Sequence, residues 1–182
     1  MQTIVNYETL KSKKWNGGKT KEYFKDKDDF GIRISSATID QGVSEFSDFT
    51  GYKRMLSILK NSVELNINGI FKTMNKDSVI QFEGSDKVLS KCDNEIIDFN
   101  VIWKEKDFIV KMNRMERDEK IIIDNNIFII SLVHNNAIMI NNSKIFLNKY
   151  DGYINTENDL KRIQPSNKCL VVNFIKKKDS IN

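Results

Sequence analysis

Apolar and polar positions alternate along most of this chain with a period of two, the spacing that sends successive side chains to opposite faces of a strand. In Val63-Glu64-Leu65-Asn66-Ile67 the aliphatic residues share one face and the polar residues the other. Asn68-Gly69 follows, a pair that accepts the positive φ angles of a two-residue hairpin, and Ile70-Phe71-Lys72-Thr73-Met74 returns beside the first strand. The same reading predicts strands at 32–39, 52–59, 78–82, 96–103, 108–112, 120–123, 127–133, 137–140, 144–147 and 170–175. Asp124-Asn125, Asn135-Asn136 and Asn141-Asn142 stand between them as turns, because asparagine enters the left-handed region more readily than other residues with a Cβ. One short helix is expected over 157–163, with Asn155 or Thr156 as its cap. Many short strands with little helix define an all-β chain, a sandwich or a barrel.

At 182 residues the chain has the length of one domain, 1–182, read as two β-rich halves that divide near residue 105. No apolar run approaches the roughly 18–20 residues that cross a bilayer, and the opening MQTIVNYETLKSKKW lacks the apolar stretch of a signal peptide. A cytoplasmic protein with no membrane partner is the expectation. The net charge of +4 comes from lysines spread among nearly as many acids, with clusters at 11–14 and 176–178 near the termini. Neither a recognition helix nor an aromatic RNA-binding motif accompanies them, so no nucleic-acid partner is expected.

Other chemistry is limited by what the chain lacks. Gly18-Lys19-Thr20 resembles the end of a phosphate-binding loop, but Lys13 stands where that loop needs its first glycine and no apolar strand precedes it. His134 is the single histidine, too few for an imidazole-bound metal, and reads as a hydrogen-bonded structural residue at a strand end. No calcium loop is present, and 26–29 reads as a solvated turn. Cys92 and Cys169 lie far apart without CxxC spacing and are expected as reduced, buried thiols. No metal and no cofactor are expected.

Specialised residues gather between Trp15 and Arg54. Trp15-Asn16-Gly17-Gly18 forms a tight loop with one aromatic anchor, and Thr20 and Glu22 alternate on one strand face. Arg33, Ser35 and Ala37 share a face, opposite Ile32 and Ile34. A polar and aromatic loop, 46–54, then leads into 55–59, with Arg54 at the strand entrance. Asp98 and Asn100 interrupt an otherwise apolar strand and project to one side, where buried polar groups need partners.

In this order and spacing, WNGG with Thr20 and Glu22, then Arg33-Ile34-Ser35-Ser36-Ala37, then Phe46-Ser47 with Phe49, Gly51 and Arg54, and finally Asp98-Phe99-Asn100, the chain resembles the HutD/Ves family over about residues 15–100. Lys19 in place of a small residue, Thr50 in place of proline and two extra residues after Gly42 are this chain's departures. The resemblance implies a cupin-like double β-barrel or sandwich without the cupin histidine cluster, in a bacterial protein tied to histidine utilisation or stress. It suggests a homodimer, and it carries a shared ligand pocket onto Trp15, Asn16, Thr20, Glu22, Arg33, Ser35, Ser47, Arg54 and Asn100.

In the preferred reading Arg33 or Arg54 grips a small carboxylate such as urocanate, because a guanidinium fork matches two carboxylate oxygens. Ser35, Ser47, Thr20 and Asn100 orient the rest, Trp15 forms a wall, and the role is regulatory or metabolite-sensing. Two other functions stay open: an isomerase or hydrolase of a small polar acid using Glu22 and Arg33, and a protein-interaction module. A purely structural reading pairs Arg33 with Glu22 and Arg54 with Asp98.

Overall fold

The computed structural model describes residues 1–76 and 78–177, so Lys178 of the C-terminal lysine cluster lies outside them. Its strands are β1 (Gln2–Val5), β2 (Ser12–Trp15), β3 (Gly18–Lys25), β4 (Ile32–Ile39), β5 (Gly42–Glu45), β6 (Lys53–Lys60), β7 (Ser62–Ile67), β8 (Ile70–Asn75), β9 (Val79–Glu83) and β10 (Val88–Cys92). They continue as β11 (Ile96–Trp103), β12 (Phe108–Met115), β13 (Ile121–Asp124), β14 (Asn126–Ser131), β15 (Asn136–Ile140), β16 (Ser143–Leu147), β17 (Gly152–Asn155), β18 (Leu160–Pro165) and β19 (Cys169–Lys176). The chain is all-β, with no helix among the described residues.

Two compact units divide the chain. One runs from Lys11 to Asp107 and pairs a six-stranded sheet, β2-β3-β4-β11-β6-β9, with a four-stranded sheet, β5-β10-β7-β8. Its core is aliphatic, centred on the fully buried Leu56, Ile58, Leu65 and Val88. The other joins Met1–Leu10 to Phe108–Asn182 and holds β1-β17-β14-β19-β12 and β13-β18-β15-β16 around a core that includes Ile127, Ile129, Ile138 and Val171. Every strand pair is antiparallel, and alternate side chains enter each core, as a cupin-like fold requires.

Local chemistry accounts for the turns. The β7–β8 hairpin closes on Asn68 and Gly69 with φ of 51° and 89°, and Asn135 and Asn141 also take positive φ. No helix forms over residues 157–163, where one was expected: 157–159 are irregular and 160–163 belong to strand β18. The side chain of Asn155 does accept the Glu157 N–H at 2.8 Å, as a cap would. The turn stops there because Lys161 and Ile163 are needed on the buried face of β18, in register with Ile123 and Ile121 of β13. Lys161 is wholly buried, and its Nζ donates to the carbonyls of Asn125 (2.9 Å), Glu157 (2.5 Å) and Asp159 (3.0 Å) and to Asp159 Oδ1 (2.5 Å). A helix would have dispersed those acceptors. His134 also departs from expectation: it stands exposed in the turn before β15 rather than serving as a structural residue.

Candidate functional site

Register on three central strands assembles a polar patch at one end of the inner face of the six-stranded sheet. Ile102 of β11 lies opposite Arg33 of β4 on one side and Arg54 of β6 on the other, so both arginines project to the same face. The next row on that face carries Ser35 and Asn100, and the one after it Ala37 and Asp98. Thr20 of β3 lies opposite Ala37, and Glu22 opposite Ser35. These rows border a cavity of about 270 Å³, near the small end of ligand pockets. Trp15, Thr20, Arg33, Ser35, Ser47, Arg54 and Asn100 line it, so seven of the nine residues singled out in the sequence meet there.

Glu22 and Asn16 do not line the cavity. Asn16 is exposed in the turn between β2 and β3. Glu22 acts at one remove, its Oε2 accepting a 2.9 Å hydrogen bond from Arg33 Nε. The β2–β3 hairpin is held close to its neighbours by glycine: a Cβ on Gly17 would lie 2.3 Å from Ser44 Oγ, and one on Gly18 would lie 2.1 Å from the Thr38 carbonyl oxygen. That approach brings Trp15 to the cavity, where its Nε1 donates to Thr20 Oγ1 at 3.1 Å. Gly18-Lys19-Thr20 is thus the start of a strand, with no helix to cradle a phosphate.

Arg54 is 4 % exposed and sits among three rings, its guanidinium carbon 5.0 Å from the centroid of Phe46, 5.4 Å from Phe49 and 5.1 Å from Phe82. Its Nη1 donates to the Ser47 carbonyl at 3.3 Å, while Nε has no hydrogen-bond partner. Burial pushes Arg54 down to about 10; Asp98 opposes that effect and the positive charge of Arg33 adds to it. The two arginines therefore share one field.

Asp98 is 2 % exposed and borders the same cavity. Its Oδ1 accepts the Ala37 N–H at 2.8 Å, and no ion pair joins it to Arg54 or to any other described residue. Burial pushes its carboxyl up to about 7, against the opposing effects of the Ala37 bond and the Arg54 charge. Asn100 Oδ1 is buried without a partner. The Arg33–Glu22 pair of the structural reading forms; the Arg54–Asp98 pair does not.

Lys13, Ala37, Ile39, Glu45, Phe46, Phe49 and Ile102 also line the cavity and are not among the residues expected there, and Asp98 was expected only as a closing partner. Strand alternation could have found Ile102, which shares the face of Asp98 and Asn100. Lys13 and Glu45 sit on short strands with no apolar alternation to announce them.

The remaining candidates do not converge here. Cys92 is a buried free thiol whose Sγ donates to the Asp40 carbonyl at 3.2 Å, and burial raises its pKa. Cys169 is buried and pushed up to about 12 by burial, so its thiol is inert at neutral pH. Among the described residues no cluster of His, Cys, Asp or Glu could hold a metal.

An antiparallel all-β chain with a larger and a smaller sheet in each unit, and a cavity carrying two arginines but no imidazole, defines a cupin-like protein without the cupin metal set. The HutD family profile matches residues 7–171, and the chain belongs to the HutD family. Among solved structures it is similar to HutD from Pseudomonas fluorescens SBW25, determined in a formate condition, with 19 % identity, a TM-score of 0.88, and coverage of 98 % of this chain and 100 % of that one. A conserved protein of unknown function from Pseudomonas aeruginosa PAO1 shares 20 % identity with a TM-score of 0.86, covering 96 % and 98 % of the two chains. Ylba from E. coli shares the fold at 10 % identity and a TM-score of 0.77, covering 99 % of this chain and 93 % of that one. A search of the curated proteins found no match.

Proposed function

We propose that this protein binds a small carboxylate in the Arg33–Arg54 cavity and serves as a sensor or buffer of that metabolite. The observation that carries the reading is that two guanidiniums, Arg33 and Arg54, line one cavity: burial above all, and the Arg33 charge in addition, disfavour the charged form of Arg54, and an anion bound beside them offsets both. Guanidinium forks favour carboxylate oxygens in particular, and both arginines line the cavity. The three rings hold Arg54 rigidly, so little side-chain freedom is lost when a ligand docks. Trp15 and Ile102 supply apolar wall, while Ser35 and Asn100 offer polar contacts to the rest of the molecule.

The family's tie to histidine utilisation directs the choice of ligand to urocanate or a formimino amino acid. Binding rather than turnover is favoured because Glu22, the acid or base of an enzymatic reading, stays outside the lining and is engaged by Arg33. A thermal-shift series over histidine-pathway acids, with formate as the smallest probe, tests the proposal. Carboxylates should raise the melting temperature of the wild-type protein and shift Arg33→Ala much less at the same concentration. An equal response of the two proteins, or none from either, contradicts it.

A further inference from the structure

We infer that the cavity takes up its carboxylate together with a proton, and that Asp98 is the group that receives it. This rests on the carboxylate-binding reading and concerns how that same site is regulated. The geometry brings a buried carboxyl into the very space an anion would enter. Asp98 borders the cavity on β11, with Ala37 its cross-strand neighbour on β4 and Ile58 on β6. One of its oxygens is held by the Ala37 N–H, and no cation touches it. Arg54, its nearest source of positive field, is engaged by the Ser47 carbonyl and ringed by phenylalanines.

The charges facing this space come from five strands. Arg54 on β6, Arg33 on β4 and Lys13 on β2 favour an ionised Asp98. Glu45 on β5 disfavours it, and Glu22 on β3 offsets Arg33 through their 2.9 Å bond. A bound carboxylate adds one negative charge beside Arg33 and Arg54 and competes for the field that opposes protonation. Two anions in a desolvated space repel strongly, and the cheaper state is one carboxylate and one neutral acid. Free Asp98 already stands at about 7, so a modest further rise moves it across the neutral range. The proton comes from solvent and ends on the Asp98 carboxyl, whose O–H then becomes a donor inside the cavity. In the sensing role, occupancy at a fixed metabolite level would rise as the surroundings acidify.

The sign follows from linkage. A site whose occupied form binds more protons than its empty form loses affinity as pH rises. Below about pH 6 Asp98 is neutral in both forms and affinity is flat; between about pH 6 and pH 9 it falls, by about tenfold in all for a rise of one unit.

Calorimetry on the full chain tests this with 3-furylacrylate, a carboxylate of urocanate's size whose groups do not titrate between about pH 6 and pH 9. Binding heats in buffers of different ionisation enthalpy give the protons taken up per ligand. For a rise of about one unit on binding, the expected uptake is roughly half a proton, greatest near pH 7.5 and falling away below about pH 6 and above about pH 9. Asp98→Asn, which mimics the neutral acid and keeps an oxygen for the Ala37 N–H, should bind with pH-independent affinity and no uptake. If that variant does not fold, infrared difference spectra of the wild-type protein decide: binding at pH 8 should produce a new protonated-carboxyl band. Binding without uptake or band, or equal uptake in wild type and variant, overturns the proton coupling and leaves carboxylate binding intact. Absence of binding by 3-furylacrylate and by formate at every pH overturns both.

Discussion

Arg33 Nε and Glu22 Oε2 meet at 2.9 Å across neighbouring strands, an ion pair formed along one edge of the guanidinium and just outside the cavity lining. Arg33 has other nitrogens, and no described residue accepts from them. Glu22 therefore fixes the plane of a donor fork while the fork itself keeps its capacity for a ligand. Both side chains are partly exposed, so the pair contributes modestly to stability, under about 1 kcal/mol.

Substitution of Glu22 should accordingly weaken binding without unfolding the protein. Glu22→Gln is expected to change stability by less than about 1 kcal/mol and to reduce carboxylate affinity several-fold by loosening Arg33. Arg33→Lys should fail to restore affinity, since an ammonium cannot reproduce the planar fork. Denaturant melts beside ligand titrations separate the two effects.

Asp98 carries a stability cost of its own. Its folded-state pKa is raised from 3.8 to about 7, so the folded protein holds a proton that the unfolded chain has released. Its contribution to stability is fully present below pH 4 and is lost as pH rises to 7, by an amount on the order of a few kcal/mol. Urea denaturation of the ligand-free protein at pH 5 and pH 8 should show that decline, and Asp98→Asn should flatten it.

Lys161 gives the opposite kind of case, a buried charge with every acceptor in place. Three carbonyls and the Asp159 carboxylate surround its Nζ. Lys161→Met preserves the stem but strands those acceptors, and should cost roughly 3 kcal/mol in chemical denaturation. A loss below about 1 kcal/mol would mean that water replaces the ammonium at little cost.

What could be read from the sequence depended on the range over which a residue's environment is decided. The β7–β8 hairpin was legible because Asn68-Gly69 and its flanking alternation are local. Residues 32–39 and 96–103 were legible for the same reason and proved to be β4 and β11. Arg33 and Asn100 drew notice because each interrupts an apolar strand. The expected helix at 157–163 failed because the Asn155 turn is a local cue, whereas the place of Lys161 and Ile163 in β18 is settled by pairing with the distant strand β13, and one Lys161 acceptor is the Asn125 carbonyl, 36 positions away. The three phenylalanines around Arg54 come from a loop and a strand more than 30 positions apart, and nothing in the local pattern joins Phe46 to Phe82. The pKa of Asp98 depends on burial by the folded sheet and was out of reach in the same way.

The central claim, that Arg33 and Arg54 together hold a carboxylate, is tested most directly by titrating urocanate into the wild-type protein and into Arg33→Ala by calorimetry at pH 6.5. The expected result is saturable binding of one urocanate per chain, weakened at least about tenfold in the variant, the loss of a charge-assisted hydrogen-bonded contact. Equal affinity in the two proteins would contradict the account.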